Sequence, residues 1–121
     1  MIFYLILTSS LFLNINYLTN QETQKMGLII TGDFDGDGKT EKAKLVKVKS
    51  GYGNPIEDDV SDEYEIQFSN KKMKPIKIGC CEATLINEGD LNNNDKDAIS
   101  IFQAPMNGCI YSMQTYIYNN K

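Results

Sequence analysis

The chain has 121 residues, and 16 acidic side chains against 12 lysines give it a net charge of −4. Nucleic acid and anionic membrane surfaces are therefore disfavoured as partners, because binding either one needs a basic face. The sequence contains no histidine, which excludes Ser-His-Asp and Cys-His catalysis and histidine-rich zinc sites.

The first 20 residues have the pattern of an export signal. An apolar run occupies residues 2–7 and continues through residues 11–13. It is too short and interrupted for a membrane span and suits the apolar part of a signal peptide. No basic residue precedes the run and no clear small-residue cleavage site follows it, so a buried N-terminal strand or helix is the alternative. We expect residues 1–20 to be a signal peptide, with no other membrane segment, and the protein to be periplasmic or secreted.

The remaining residues, 21–121, predict a single all-β domain. Apolar and polar residues alternate or form short apolar runs, and no segment keeps the spacing of an amphipathic helix. We therefore expect antiparallel hairpins or meanders. In chain order the predicted strands cover residues 27–32, 42–49, 64–68, 76–78, 84–86, 98–102 and 109–118.

The order strand, acidic loop, strand occurs twice, which indicates an internal duplication with pseudo-repeats at residues 26–70 and 76–121. Repeats of such length are typical of propellers and arrays. Two units cannot close a propeller, which typically has about 4–8 blades. The expectation is two blade-like units, each with an acidic loop, arranged as an incomplete propeller or a small sandwich.

The first acidic loop has the composition of a calcium site. Asp33, Asp35 and Asp37 occupy positions 1, 3 and 5, the carbonyl of Lys39 is at position 7, and Glu41 is at position 9. Calcium takes about six to eight oxygen ligands in flexible geometry, whereas magnesium keeps fewer protein ligands in a strict octahedron. Four carboxylates and one carbonyl therefore predict Ca²⁺ at this loop.

An EF-hand does not fit, because position 12 is Lys44 where that motif needs a bidentate glutamate. Residues 33–41 instead read Asp-Phe-Asp-Gly-Asp-Gly-Lys-Thr-Glu, which resembles the loops of FG-GAP or VCBS-type repeats. A looser fit extends to residues 87–92 and 98–102. The resemblance implies a calcium loop between β-strands with the same five ligands. It also implies similarity to small exported bacterial proteins of unknown function, so it names a module and not an activity.

The second acidic loop departs from this pattern. Asn93 and Asp95 replace the two glycines, and both residue types tolerate left-handed backbone angles. Position 9 is Ala98, which offers no side-chain ligand, so we expect weak metal binding or a turn kept only for its shape. The candidate ligands of this weaker loop are Asp90, Asn92, Asn94 and Asp97.

Three cysteines in an exported protein predict one disulfide and one free thiol. We expect Cys109 to pair with Cys80 or Cys81, because a bridge between adjacent cysteines is strained and rare. Zinc bound by the three thiolates is the alternative, although the usual spaced cysteine pairs are absent.

These patterns predict an exported calcium-binding β module with a binding or scaffolding role. Catalysis is not expected, because carboxylates that face one cation stay ionised and are poor general acids. The partner would be a protein or a glycan. The alternatives are a fragment of a larger propeller-type adhesion protein and, less favoured, a hydrolase that uses acidic residues.

Overall fold

A computed structural model describes residues 24–53, 60–105 and 109–119. These residues form eight β-strands and no helix, which confirms the predicted all-β class. No helix within them is long and apolar enough to cross a membrane. The predicted signal peptide, residues 1–20, lies outside the described residues. The strands are β1 Met26–Gly27, β2 Ile29–Gly32, β3 Glu41–Lys49, β4 Glu63–Phe68, β5 Ile76–Gly79, β6 Ala83–Gly89, β7 Ala98–Gln103 and β8 Ser112–Tyr116.

The strands form two antiparallel sheets of four strands each. The first sheet has the order β2-β3-β4-β5, and the second sheet has the order β1-β6-β7-β8. The first acidic loop joins β2 to β3, and the second acidic loop joins β6 to β7 in the same way. Each sheet therefore contains one hairpin with an acidic loop at its turn, followed by the next strand of a meander.

Two strands lie in a different sheet from the one their position along the chain suggests. We expected β5 to open the second unit, but it pairs with β4 through Ile66 and Ile76. Between the two strands the amide of Met73 donates to the carbonyl of Asn70 at 3.0 Å, so the chain turns back on itself there. At the other end, β1 joins the second sheet, where Met26 pairs with Ile86 of β6. The segment that leads into the first hairpin therefore contributes to both sheets.

One hydrophobic core draws on both sheets, because the alternating strands place their apolar residues on one face. In the first sheet, Leu45 of β3 lies opposite Ile66 of β4, and both are buried. In the second sheet, Leu85 of β6 lies opposite Ile101 of β7. Phe34, at the start of the first acidic loop, is fully buried in the same cluster. The first acidic loop is therefore anchored in the core by its own aromatic residue.

Residues 25–28, which precede β2, form hydrogen bonds with both sheets. The amide of Leu45, in the first sheet, donates a hydrogen bond to the carbonyl of Leu28 at 2.9 Å. The amide of Asn87, in the second sheet, donates to the carbonyl of Lys25 at 2.8 Å. Because Lys25 and Leu28 belong to one short segment, these bonds connect the two sheets through that segment.

The cysteine arrangement differs from the expected pairing of Cys109 with Cys80 or Cys81. Cys80 and Cys81 connect β5 to β6, and their sulfur atoms are in contact with each other. Cys109 is free and exposed beside β8. The carbonyl of Cys81 accepts a hydrogen bond from Gln103 Nε2 at 2.9 Å, which holds the connection against β7. Cys80 and Cys81 therefore contact each other, and Cys109 has no partner among the described cysteines.

Candidate metal centre

The first acidic loop is wrapped around the carboxylate of its first aspartate. Asp33 Oδ1 accepts a hydrogen bond from the amide of Gly36 at 2.9 Å, and Asp33 Oδ2 accepts one from Gly38 at 2.8 Å. Gly36 and Gly38 have φ angles of 80° and 81°, a region in which a side chain is strained. The alternation of aspartate and glycine is therefore what permits the tight turn.

Four of the five predicted ligands converge on one point. Carboxylate oxygens of Asp33, Asp35, Asp37 and Glu41 all lie within 4.8 Å of one another, so this group could hold a metal ion. Lys39, predicted to contribute its carbonyl, lies in the same turn, and its amide donates to Asp37 Oδ1 at 2.7 Å. The loop geometry thus gathers acids that would repel one another without a cation.

Glu41 is the charged side chain that most needs a cation. It is only 4% exposed, and the amide of Phe34 donates to its Oε2 atom at 2.9 Å. Burial, together with the negative charges of the three aspartates, raises the pKa of Glu41 from 4.5 to about 7. The ion pairs among the described residues are Lys47–Asp62 and Lys49–Glu63, so no lysine neutralises Glu41 there. A buried carboxylate without a cationic partner is costly, and a bound cation would remove that cost.

Asp35 links the first acidic loop to the turn between β4 and β5. Asn70 Nδ2 of that turn donates to Asp35 Oδ2 at 3.0 Å, and the amide of Asp37 donates to Asp35 Oδ1 at 3.0 Å. Burial alone would raise the pKa of Asp35, but these hydrogen bonds to the ionised form outweigh burial and lower it. Sequence reasoning missed Asn70, because an isolated asparagine in a turn carries no signal for a contact so far along the chain.

The second acidic loop repeats the backbone of the first. Asn93 and Asp95 have φ angles of 56° and 63°, which confirms that these residues take over the role of the glycines. Asp90 accepts hydrogen bonds from the amides of Asn94 at 3.0 Å and Asp95 at 2.9 Å. Among the residues that the structure describes, however, the first loop supplies the convergent acidic group. Of the second loop's candidate ligands, Asp90 and Asn92 are exposed, as is Asn94.

The remaining candidate of the second loop, Asp97, is directed at the first loop. Its Oδ2 atom accepts hydrogen bonds from the amide of Asp33 at 3.0 Å and from Asn87 Nδ2 at 3.2 Å. The amide of Asp97 in turn donates to the carbonyl of Asp33 at 2.7 Å. Asp97 therefore holds the backbone of the first site in place, and it is not free to turn toward Asp90.

Lys96 gives a second contact between the loops. A Cβ atom built on Gly36 would lie 2.9 Å from Lys96 Cγ, so the lysine stem covers the first loop at its tightest point. Lys96 Nζ then donates to the carbonyl of Tyr118 at 3.1 Å. The second loop thus braces the first loop and ties it to the segment that follows β8.

No protein-family model, curated protein or solved structure matches this chain. The likeness to FG-GAP or VCBS-type repeats stays a prediction carried by residues 33–41. The geometry itself shows an acidic group that could hold a metal ion, built on a β-hairpin and supported by a second loop of the same form.

Proposed function

We propose that this protein is an exported calcium-binding β module of FG-GAP or VCBS type, with a binding or scaffolding role. The observation that carries the proposal is the buried Glu41 carboxylate, which lies among three aspartates and has no lysine paired to it among the described residues. A divalent cation is the simplest group that would compensate this concentration of negative charge.

Calcium is favoured over magnesium by the number of ligands. The four carboxylates and the carbonyl of Lys39 would occupy five coordination positions, and calcium accepts about six to eight oxygens. Magnesium keeps several of its water molecules and is usually held by one or two carboxylates. Zinc is disfavoured, since the group contains neither histidine nor cysteine.

Bound calcium would act first on stability. It would clamp the β2–β3 hairpin, and the contacts of Asn70 and Asp97 would transmit that constraint to the β4–β5 turn and to the second sheet. A ligand that binds only the folded state raises stability by mass action. The module would therefore be rigid in calcium and could present a surface to a protein or a glycan.

A role as part of a larger propeller-type adhesion protein is the second candidate. It is favoured by the two four-stranded antiparallel sheets, each of which carries a loop of the same form, as propeller blades would. Hydrolysis by the acidic residues is the less favoured alternative, because a shared cation would keep these carboxylates ionised.

The test is thermal unfolding of the full chain in chelator and in increasing calcium, beside Asp35→Asn and the matched second-loop variant Asp90→Asn. At a calcium concentration about 100 times Kd, the gain should be about 2.7 kcal/mol, or roughly 10 °C or more. Asp35→Asn should lose most of this gain, and Asp90→Asn should keep it. An unchanged midpoint in calcium would refute the metal site, and an equal gain in magnesium would refute the choice of calcium.

A further inference from the structure

A cleft of about 690 Å³ opens beside the metal centre. One wall is formed by Asp35, Asp37 and Glu41, and the opposite wall is the turn between β4 and β5. Tyr118 lines the cleft as well; its hydroxyl accepts a hydrogen bond from the amide of Lys74 at 2.7 Å, and its ring packs edge-on against Phe68 with the centroids 5.6 Å apart. These contacts hold Tyr118 in the cleft, whose volume is in the usual range of small-molecule sites.

The charge of the cleft depends on the metal. Among the described residues, three lysines line it, namely Lys39, Lys72 and Lys74. Around a bound divalent cation the four carboxylates of the metal centre would all be ionised, so that these carboxylates, the cation and the three lysines would together carry a net charge of +1. The cleft would therefore attract an anion when the metal is bound, and without the metal the same groups would have no net positive charge to attract it.

The metal would also have free coordination positions on this side. With one oxygen from each group, the first loop would provide five ligands, and calcium accepts about six to eight. Since Asp35, Asp37 and Glu41 line the cleft as well as the metal centre, an open position would face the cleft. A carboxylate oxygen from a ligand is of the chemical type that calcium prefers at such a position.

The rest of the lining suits a sugar. Ser69, Thr40 and Asn70 offer hydroxyl and amide groups, and Met73 and Tyr118 offer apolar surface. Polar groups that fix orientation beside aromatic surface are the usual composition of a small-ligand site, and the hydroxyls of a sugar can both donate to and accept from such groups.

We propose that this cleft binds an acidic sugar, whose carboxylate coordinates the bound calcium and is flanked by Lys72 and Lys74. The inference rests on the proposed calcium function and refines it, because it names the partner as a uronate-bearing glycan. Binding would then require both the metal and the lysines of the β4–β5 turn.

The test uses the full chain and two matched probes, D-galacturonate and its neutral counterpart D-galactose, in a titration followed by amide NMR signals. With saturating calcium, galacturonate should shift signals of residues 69–74, and its affinity should exceed that of galactose by at least about tenfold, which corresponds to about 1.4 kcal/mol. Chelator should abolish the shifts. N-acetylaspartate tests whether any carboxylate suffices, and binding equal to galacturonate would overturn the sugar assignment.

Variants separate this inference from the calcium function. Lys72→Gln combined with Lys74→Gln should weaken galacturonate binding at least about tenfold. It should leave the melting temperature in calcium unchanged, since the two lysines contribute only their backbone amides to the hydrogen bonds of this turn, which Asn70 Oδ1 and the Tyr118 hydroxyl accept. Lys77→Gln, at an exposed position of β5, is the control and should change neither value. Calcium binding without galacturonate binding would refute the inference alone, and failure to bind calcium would refute both proposals.

Discussion

Replacement of Glu41 by glutamine should stabilise the metal-free protein and at the same time weaken its response to calcium. Glu41 is 4% exposed and forms no ion pair with a lysine in the part of the chain that the structure describes, so its charge is unfavourable in the folded state without metal. Glutamine keeps the shape and retains an oxygen for the hydrogen bond from the amide of Phe34. It lacks the charge that burial disfavours and that calcium would bind.

The magnitude follows from the pKa of Glu41, which the fold raises from 4.5 to about 7. A raised pKa means that the folded state holds a proton the unfolded state has lost between these values. The contribution of Glu41 to the stability of the metal-free protein therefore falls as pH rises from about 4.5 through about 7 and is constant above. The full difference is on the order of 3 kcal/mol, or roughly 12 °C or more in the melting temperature of a domain this size.

Thermal unfolding in chelator at pH 4.5 and pH 8 checks this, with the exposed Glu82→Gln as the control. Glu41→Gln should melt near the native protein at pH 4.5 and well above it at pH 8. In calcium at pH 8 the difference in melting temperature between the variant and the native protein should become smaller or change sign, because the variant has lost a calcium ligand. A variant that is less stable than the native protein at pH 8 in chelator would refute the assignment of Glu41 as a buried, uncompensated charge.

Two other predictions test the support of the loop and the cysteine arrangement. Gly36→Ala should cost more stability than Gly38→Ala: both have positive φ, which costs about 1 kcal/mol, but a Cβ on Gly36 also meets Lys96 whereas a Cβ on Gly38 meets nothing within 4 Å. Chemical denaturation of the two variants measures their free energies of unfolding. Equal losses would contradict a close contact between Lys96 and the first acidic loop. Cys109→Ser should leave the free energy of unfolding within about 0.5 kcal/mol of the native value under oxidising conditions. If Cys109 formed a disulfide, the same substitution would lower the free energy of unfolding by about 2–5 kcal/mol.

The strands and the first acidic loop were predictable because each depends on the residue pattern of a single short segment. Alternation of apolar and polar residues in segments such as 64–68 selects a half-buried strand regardless of its neighbours. The spacing of Asp33, Asp35 and Asp37 likewise brings their carboxylates to one side of a single turn. The same locality explains why the positive φ angles of Asn93 and Asp95 could be expected from their residue types alone.

What could not be predicted depends on contacts between distant segments. The sheet that β5 joins is decided by the hairpin it forms with β4, and the residue pattern of β5 fits either sheet. The contact of Asn70 with Asp35 requires the β4–β5 turn to fold back onto the metal loop. The contact between Cys80 and Cys81 likewise shows that three cysteines fix the number of possible bridges but not which pair is close.

Asp97 shows that two loops with the same kind of turn have different roles in this fold. Asp97 is at position 8 of the second loop, so its carboxylate would reach the ligand position of its own loop only if the backbone shifted. Two donors, the amide of Asp33 and the side chain of Asn87, instead hold this carboxylate on the first loop. Gly32 permits this approach, since a Cβ there would lie 2.6 Å from Asp97 Oδ2. The second loop therefore has the same kind of turn as the first but directs its acid at the first loop, so that the first loop would bind the ion while Asp97 holds the backbone of that loop in place.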